Sequence, residues 1–397
     1  MMQRRSFLAS ALLGGAPGAA DPPGKGSLIR KVEAIAARVP YRDTFVIGRG
    51  LVAAAGQAGN YVFVRLETAD GHVGWGETIA LPSWSYETVG SITTTVRDHL
   101  AGIVTGRSPF EQAYFQRRFD DVLTPAVSQG FPFAKSAVMT ATLDLAAQLA
   151  GVPLHQLFGG KLRDRLDLAF ALSIDAPQAM AEAARAYPAA KCYKLKVSGE
   201  PALDAERVRA VAEARPDVDL WIDANQSYRP VHLESFLRAI DGVRQVRCLE
   251  QPVKSVDWFG MKRARDRSPL PIAVDEGCFS AYDVARLARM EACDLVVLKV
   301  AKSGGPLGCQ RSAVVAEANG LGLLGSGLTE SGIGFTATVH LFSTLDLLLP
   351  PELNGPKFIG NLMVEGLRVD GPGVVVPDAP GLGVVVDEKA LRAAARG

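Results

Sequence analysis

The spacing of hydrophobic and polar positions changes markedly along the chain. From about residue 28 to 75, apolar and polar residues alternate, as in Tyr61-Val62-Phe63-Val64-Arg65-Leu66, and Asp70-Gly71 is typical of a hairpin turn. From about 88 to 150, small and apolar residues recur at helical spacing. Strands followed by a run of helices predict an α+β domain over residues 28–150.

A different rhythm begins near residue 151, where short apolar runs alternate with helical stretches. Such alternation predicts parallel strands joined by right-handed crossovers. The predicted strands are residues 166–174, 191–197, 219–223, 246–250, 271–275, 294–300 and 321–325, with an eighth around 352–358. An open doubly wound sheet would need a glycine-rich phosphate turn after its first strand, and Asp175-Ala176-Pro177 is not one. We therefore predict a barrel over residues 151–358, and a final segment, 359–397, that returns to the first domain.

Five ionisable residues recur at nearly equal intervals at or near the ends of the predicted strands. They are Lys196, Asp223, Glu250, Asp275 and Lys299, which are 27, 27, 25 and 24 residues apart by subtraction. An interval of about 25 residues is close to one strand plus one helix of a β/α barrel. Any one of the acids could be a helix N-cap or a surface residue. Their recurrence instead predicts that all five side chains meet at one mouth of the barrel.

Three carboxylates in one barrel mouth repel one another unless a cation lies among them. Oxygen ligands suit Mg²⁺, with Mn²⁺ as the alternative. Zinc is disfavoured because no histidine or cysteine stands at an equivalent strand end. We expect the nearest one, Cys248, on the alternate face of its strand. The pattern therefore predicts a site for a divalent metal, with a lysine on either side.

The lysines would transfer protons at this site. Lys194 and Lys196 are two residues apart and so point to the same side of a strand. Lys196 and Lys299 belong to the second and sixth predicted strands, on opposite sides of the barrel axis, and a lysine near other cations loses its proton more readily. One base on each face of a planar enediolate serves racemisation, epimerisation, elimination or cycloisomerisation. We expect Lys194 to stay protonated and to aid the substrate carboxylate electrostatically, and Lys302 to lie on a loop.

Composition limits the other classes of function. The chain has 397 residues, 48% of them hydrophobic, and a net charge of +1. It can therefore bury a large core, and it has no basic stripe suited to nucleic acid. Apart from the N-terminus, no apolar run approaches the length of a membrane span. Five scattered cysteines are not typical of a disulfide framework.

Residues 1–25 are predicted to be a targeting segment and not part of the fold. Arg4 and Arg5 precede Ser6-Phe7-Leu8, a modest apolar stretch and several small residues. This layout is typical of a secretory signal of the twin-arginine type and predicts export to the periplasm. A disordered leader on a cytoplasmic protein is the alternative.

Together these motifs resemble the enolase superfamily, in its muconate lactonizing enzyme branch. The resemblance runs from about residue 28 to 395. It is carried by Gly74-Trp75-Gly76-Glu77, Gly151-Val152-Pro153-Leu154, Leu157-Phe158-Gly159-Gly160, Lys194-Leu195-Lys196, Asp223-Ala224-Asn225, Leu249-Glu250-Gln251-Pro252, Val274-Asp275-Glu276, Leu298-Lys299-Val300-Ala301-Lys302-Ser303-Gly304-Gly305 and Pro380-Gly381-Leu382-Gly383. It implies an α/β fold, a modified TIM (β/α)7β barrel with an α+β capping domain built from the N-terminal region and the C-terminal tail. It also implies Asp223, Glu250 and Asp275 as ligands of Mg²⁺, and Lys196 and Lys299 as the acid/base pair.

The resemblance also bears on the substrate. The mandelate racemase branch has a histidine at the end of the seventh strand, but residues 325–330 hold none, and we expect His340 to be structural. Dipeptide epimerases end the eighth strand with an Asp-x-Asp pair, whereas this chain reads Glu352-Leu353-Asn354, whose glutamate resembles the cycloisomerases. The predicted substrate-binding residues are Asn225, Trp84, Glu330, Glu352 and Asn354.

The sequence thus predicts a Mg²⁺-dependent isomerase that acts on a small carboxylate, either as a cycloisomerase or as a racemase or epimerase. We expect loops 41–50 and 81–86 of the cap to set specificity. The resemblance implies a homo-oligomer, which is common in the family. A dehydratase of acid sugars or hydroxy acids is the alternative enzyme, and an exported carboxylate-binding protein is the alternative without catalysis.

Overall fold

The structure is a computed structural model that describes residues 27–126 and 128–395. The segment 1–25, predicted to direct export, lies outside these ranges. Within them, no helix combines the length and the hydropathy that a membrane crossing requires.

The first part of the chain is an antiparallel sheet followed by helices, as the sequence pattern predicts. Its strands are β1 Ile29–Pro40, β2 Phe45–Ile47, β3 Gly50–Ala53, β4 Ala58–Thr68 and β5 Val73–Ile79. Its helices are α1 Val89–Thr95, α2 Ala101–Val104, α3 Gln112–Val122 and α4 Pro132–Ala150, with a π-helical turn, Val96–Leu100, between α1 and α2. Strands β1, β4 and β5 pair in that order, and the predicted hairpin turn at Asp70-Gly71 joins β4 to β5.

A curled parallel sheet follows, with a helix after nearly every strand. The strands of this part are β6 Arg165–Asp167, β7 Phe170–Leu172, β8 Cys192–Lys196, β9 Asp219–Asp223, β10 Val246–Glu250, β11 Ile272–Val274, β12 Leu295–Leu298 and β13 Gly322–Gly325. The helices are α5 Pro177–Ala186, α6 Pro201–Ala214, α7 Pro230–Ala239, α8 Trp258–Arg267, α9 Ala281–Arg289, α10 Pro306–Ala318, α11 Gly332–Phe342 and α12 Gly355–Phe358. Strands β7 to β13 pair in chain order, so each crossover returns the chain beside the strand it left.

The segment before α12 closes the ring, although not as the predicted strand 352–358. Parallel bridges join Leu323 to Leu347 and Ser326 to Glu352, and on the other side Ala169 N donates to Pro351 O. Residues 355–358 form α12 instead of continuing a strand. Two consecutive prolines, at 350 and 351, lack the N–H groups that a regular ladder needs. The predicted first strand, 166–174, is likewise divided into β6 and β7.

The C-terminal segment contacts both other parts of the chain. Its elements are β14 Val364–Glu365, β15 Val369–Asp370, β16 Gly373–Val375, β17 Val385–Val386 and α13 Glu388–Ala394. Strand β16 pairs with β6, and Arg392 of α13 lies 2.9 Å from Glu33 of β1. Asp144 of α4 accepts the N–H groups of Trp75 and Leu382, both at 2.9 Å. One buried carboxylate thus joins a helix, a strand and the C-terminal segment.

Candidate active site

The barrel strands bring the predicted ionisable residues to one end of the sheet. Lys196 pairs with Asp223 in the register of β8 and β9, and Asp223 pairs with Glu250 in that of β9 and β10. Asp275 and Lys299 come directly after β11 and β12. Because parallel strands present their carboxyl ends at the same mouth, all five residues lie at that mouth.

A small apolar cluster inside the barrel shows which residues point inward. It consists of Ala169, Cys192, Trp221, Cys248, Ala273, Leu295, Val297, Leu324 and Leu349. Cys248 is two residues before Glu250, so both side chains lie on the same face of β10. The expectation that Cys248 faces the other way was therefore wrong. Its thiol remains fully buried, and burial raises its pKa well above the usual value.

Two lysine–carboxylate pairs flank the mouth. Lys196 Nζ lies 2.6 Å from Asp223 Oδ2, and Lys299 Nζ lies 2.7 Å from Asp275 Oδ2. Lys302 makes a contact that the sequence did not predict. Its Nζ donates to Asp275 Oδ1 and to the Asp275 carbonyl oxygen, both at 2.7 Å. Its backbone lies on a loop, as expected, but its side chain is buried against the site.

Lys194 lies at the centre of the carboxylates. Its Nζ is 2.9 Å from Glu250 Oε2 and 3.2 Å from both Asp223 Oδ2 and Glu352 Oε2, and it lies 4.1 Å from the centre of the Trp221 ring. Its side chain has no exposed surface. Lys194 therefore holds the acids together from below, and it can act on a substrate only through its charge, in line with its expected electrostatic role.

Burial alone would raise the pKa of all three predicted metal ligands, and the lysines decide how far this is reversed. Lys196 and Lys194 lower the pKa of Asp223 to about 2. Two lysine partners also hold the pKa of Asp275 below its usual range. The pKa of Glu250 stays well above its usual value, because burial and the nearby charge of Asp223 outweigh Lys194.

Lys299 and Lys194 are held as ammonium ions by the acids around them. Burial disfavours the charged form of Lys299, but the carboxylate of Asp275 more than offsets this and raises its pKa. The pKa of Lys194 is raised well above its usual value by Glu250, Glu352 and Asp223 in the same way. At both lysines the carboxylates supply more negative charge than burial and the neighbouring lysines offset.

The three predicted carboxylate ligands have the donor type that Mg²⁺ prefers, although in this structure each of them is paired with lysine. Among residues 27–126 and 128–395, no three histidine, cysteine, aspartate or glutamate side chains are already arranged as a metal site. The predicted ligands offer oxygen alone, which suits a hard cation. Within the same ranges, Glu250 Oε2 is buried and accepts no hydrogen bond of good geometry; its one close cation is Lys194 Nζ, at 2.9 Å as an ion pair. Asp223, Glu250 and Asp275 would therefore hold Mg²⁺ in exchange for part of their contacts with lysine.

A cavity between the barrel mouth and the cap contains most of the other predicted residues. It measures about 350 Å³ counting its open mouth. Its walls include the predicted Lys196, Lys299, Asn225, Trp84, Glu352 and Asn354, together with Phe45, Ile47, Val52, Leu81, Gly327, Leu328 and Thr329. Both cap loops expected to set specificity thus contribute to the cavity.

Two predicted substrate-binding residues, Glu330 and Glu352, are held by hydrogen bonds within the protein. Glu330 does not line this cavity; its Oε1 accepts Leu328 N at 2.8 Å, and burial raises its pKa to about 7. Glu352 lies beside the cavity but is held by Ser326 Oγ at 2.5 Å and by Asn354.

His340, expected to be structural, is fully buried. Its Nε2 lies 2.9 Å from Leu382 O, and its Nδ1 accepts His155 N at 3.3 Å.

Sequence reasoning missed two further residues. Glu276 contacts Asn225 Nδ2 at 3.3 Å beside the predicted ligands, and burial raises its pKa to about 7. Ser326 bonds Glu352 from the end of β13. Glu276 directly follows Asp275, and this adjacency was the one available signal.

A barrel with acids and lysines at the carboxyl ends of its strands, covered by an α+β cap, defines the chain as a capped β/α-barrel enzyme. The family model for the mandelate racemase / muconate lactonizing enzyme N-terminal domain matches residues 32–159, and the model described as enolase C-terminal domain-like matches residues 178–390. The chain belongs to the mandelate racemase/muconate lactonizing enzyme family of the enolase superfamily. It is an isomerase of the muconate cycloisomerase and racemase type.

Similar proteins include both kinds of isomerase. Muconate cycloisomerase 1 of Pseudomonas putida is 32% identical over 355 residues, which cover 86% of this chain and 92% of that protein. An L-Ala-D/L-Glu epimerase of Clostridium acetobutylicum is 30% identical over 333 residues, which cover 82% of this chain and 90% of that one.

Solved structures of both kinds of isomerase share the fold of this chain. The muconate lactonizing enzyme of Pseudomonas fluorescens, complexed with muconolactone, has a TM-score of 0.86 and 29% identity, and the match covers 93% of this chain and 99% of the other. A dipeptide epimerase of Enterococcus faecalis, complexed with Mg and the dipeptide L-Leu-L-Tyr, has a TM-score of 0.82 and 28% identity, with 90% and 99% covered.

Proposed function

We propose that the chain removes the α-proton of a small carboxylate in a Mg²⁺-dependent reaction and forms an isomer through an enediolate, as a cycloisomerase or as a racemase or epimerase. The observation that carries the proposal is the placement of Lys196 and Lys299. Both line one cavity, they belong to opposite sides of the ring of strands, and each contacts a different carboxylate. A planar intermediate in the cavity would therefore have an amine on each face.

Each residue has a distinct task in this proposal. Lys196 and Lys299 take up or return a proton at the substrate carbon, one from each face. Mg²⁺ held by Asp223, Glu250 and Asp275 would stabilise the negative charge of the enediolate and offset that of its ligands. The buried ammonium of Lys194 keeps these acids together. Apolar cap residues such as Trp84 exclude water from the reacting carbon.

The first test is solvent deuterium exchange. Muconate and the dipeptide L-Ala-L-Glu would each be incubated with enzyme and Mg²⁺ in D₂O, and products followed by NMR and mass spectrometry. We expect isomerisation in which the carbon gains deuterium and water is not lost. Release of a keto acid from an acid-sugar or hydroxy-acid panel would instead indicate the dehydratase.

Lysine variants connect the activity to the site. Lys196→Ala and Lys299→Ala are each expected to lose at least about a hundredfold in turnover, the lower range of general-base catalysis. Lys191→Ala is the matched control, because this lysine directly precedes β8 and its side chain is 73% exposed. Turnover that falls equally in all three variants, or in none, would refute the roles given to Lys196 and Lys299.

The same variants separate a racemase from a cycloisomerase. In a two-base racemase, Lys196→Ala would still exchange the α-proton of one enantiomer through Lys299, and Lys299→Ala would exchange that of the other. Opposite stereochemical preferences of the two variants would support racemisation. Loss of exchange from both enantiomers in one variant alone would favour a one-base reaction such as cycloisomerisation.

Metal binding has its own readout. Mg²⁺ that binds the folded state raises its melting temperature according to mass action. We expect this rise in the wild type and not in Asp223→Asn. An equal rise in both would place the metal elsewhere.

Export and assembly complete the proposal. We propose that residues 1–25 direct export through the twin-arginine route, and that replacement of Arg4 and Arg5 by Lys keeps the protein in the cytoplasm on fractionation. A periplasmic double variant would contradict this. We also propose a homo-oligomer, for which light scattering after gel filtration should give a multiple of the chain mass; the mass of one chain would refute it.

A further inference from the structure

A buried glutamate of the cap binds the start of a barrel helix. Glu77 lies on β5, is 4% exposed, and accepts Ser331 N at 2.5 Å, Ser331 Oγ at 2.6 Å and Gly334 N at 2.8 Å. Ser331 directly precedes α11, so Glu77 supplies the acceptor for the free N–H groups of the first turn. Glu77 and Ser331 are 254 positions apart in the chain.

A second cap residue holds the same stretch of chain a few positions earlier. Tyr61 on β4 has no exposed surface, and its hydroxyl donates to Thr329 O at 2.7 Å. Thr329 has φ +68°, an unfavourable backbone conformation for a β-branched residue. Such strain persists where surrounding contacts determine the conformation. Here the cap supplies the contacts at Thr329 itself and at Ser331, two residues after it.

The stretch that these two residues hold is a wall of the cavity. Gly327, Leu328 and Thr329 line the cavity together with residues of the cap loops. Gly327 N also donates to Glu352 O at 2.9 Å, which ties the same loop to the segment that closes the barrel. The position of residues 327–331, which we name the β13 loop, is therefore set jointly by the barrel and by the cap sheet.

We propose that Glu77 and Tyr61 are positioning residues that fix the β13 loop and thereby set how the enzyme contacts the non-reacting part of its substrate. Neither residue touches the predicted metal ligands or the two proton-transferring lysines. The cap sheet would thus act on specificity from behind the cavity, in addition to the cap loops that line it. This inference rests on the proposed function for its kinetic consequence, but its structural half is independent of any substrate.

The first arm of the test is amide hydrogen exchange on the full chain, which needs no substrate. In Glu77→Gln the new amide group opposes N–H donors, and in Tyr61→Phe one hydroxyl is removed with little change in volume. Each change is expected to speed exchange across residues 326–335 at least about tenfold, as loss of a buried hydrogen bond predicts. Unchanged exchange there in both variants would overturn the proposal.

Two matched controls separate positioning from general loss of stability. Tyr193→Phe removes the hydroxyl of another fully buried tyrosine. This hydroxyl donates to Ala184 O, at a distance of 2.7 Å, and Tyr193 does not line the cavity. Asp144→Asn disturbs another buried cap carboxylate, whose partners are the N–H groups of Trp75 and Leu382. Both are expected to leave exchange in the β13 loop unchanged. An equal increase in these controls would show a global effect and would overturn the proposal.

The second arm is kinetic, with whichever of muconate and L-Ala-L-Glu the wild type converts. Tyr61→Phe is expected to raise KM about tenfold while kcat stays within about threefold. The β13 loop would lose its fixed position, and its contacts with the non-reacting part of the substrate would weaken. Tyr193→Phe should keep both constants. An unchanged KM in Tyr61→Phe would refute the effect on specificity. A wild type that converts neither compound would count against the proposed function, whereas the exchange arm would still decide whether the cap positions the loop.

Discussion

Two buried lysines with the same bonds test how strongly the site depends on its ammonium groups. Lys302 donates to a carboxylate oxygen and to the carbonyl oxygen of Asp275, both at 2.7 Å. Lys135 donates to Asp120 Oδ1 at 2.7 Å and to Leu123 O at 2.8 Å. The lysine side chains are 2% and 7% exposed, but the side chain of Asp275 is 0% exposed and that of Asp120 is 55% exposed.

The burial of the acid decides the expected loss. Removal of one partner from a buried ion pair costs about 3–5 kcal/mol, because a charge stays in a low-dielectric environment. Lys299 still donates to Asp275 Oδ2 at 2.7 Å, so we expect about 3 kcal/mol for Lys302→Met, the lower end of that range. In Lys135→Met the acid can be hydrated, and the expected loss is about 1 kcal/mol.

Differential scanning calorimetry at pH 7 with EDTA measures the difference. A loss of 1 kcal/mol lowers the melting temperature of a domain of 150–250 residues by about 2–4 °C. With the lower value for this longer chain, we expect drops of about 6 °C for Lys302→Met and about 2 °C for Lys135→Met. Equal drops, or a larger drop for Lys135→Met, would refute the argument that the burial of the acid sets the energy.

Three further predictions follow from the structure. Burial raises the pKa of Asp144 to about 6, so the contribution of this residue to stability is present at low pH and is lost as pH rises through 6. In urea unfolding between pH 4 and 7, the wild type should therefore lose up to about 3 kcal/mol of unfolding free energy relative to Asp144→Asn. A difference in unfolding free energy between the two proteins that does not change with pH would contradict this. Gly76→Ala should prevent native packing of α4 on β5, because the Cβ of the new alanine would clash with the backbone oxygen of Ala137. A variant that melts at the same temperature as the wild type would contradict this. Trp84→Ala should raise KM about tenfold, because its ring lines the cavity and lies 4.7 Å from Lys299 Nζ; an unchanged KM would count against the cap loop as a substrate contact.

Regular spacing made the mouth of the barrel predictable. Each β/α unit returns the chain to the same end of the sheet, so the regular intervals alone predict that Asp223, Glu250 and Asp275 lie together. The two-residue period of a strand also places Cys248 inward on the same face as Glu250, contrary to the expectation stated for Cys248. The closing segment near residue 350 was misplaced because consecutive prolines allow bridges but no regular strand.

Contacts between distant segments were not predictable in the same way. Lys302 follows Lys299 by three residues on an irregular loop, so no period shows that its side chain returns to Asp275. Glu77 stands in a motif that the sequence makes visible, but its partner Ser331 belongs to another part of the fold.

The sequence by itself thus determined the order of strands and helices, the inward faces of the barrel strands, and the residue types that gather at its mouth. These features follow from local periodicity, which each segment carries within its own residues. Tertiary structure alone decided which lysine neutralises which acid, how the last segment closes the ring, and how the cap holds the wall of the cavity. Those outcomes depend on distances between side chains that the chain brings together only when it packs.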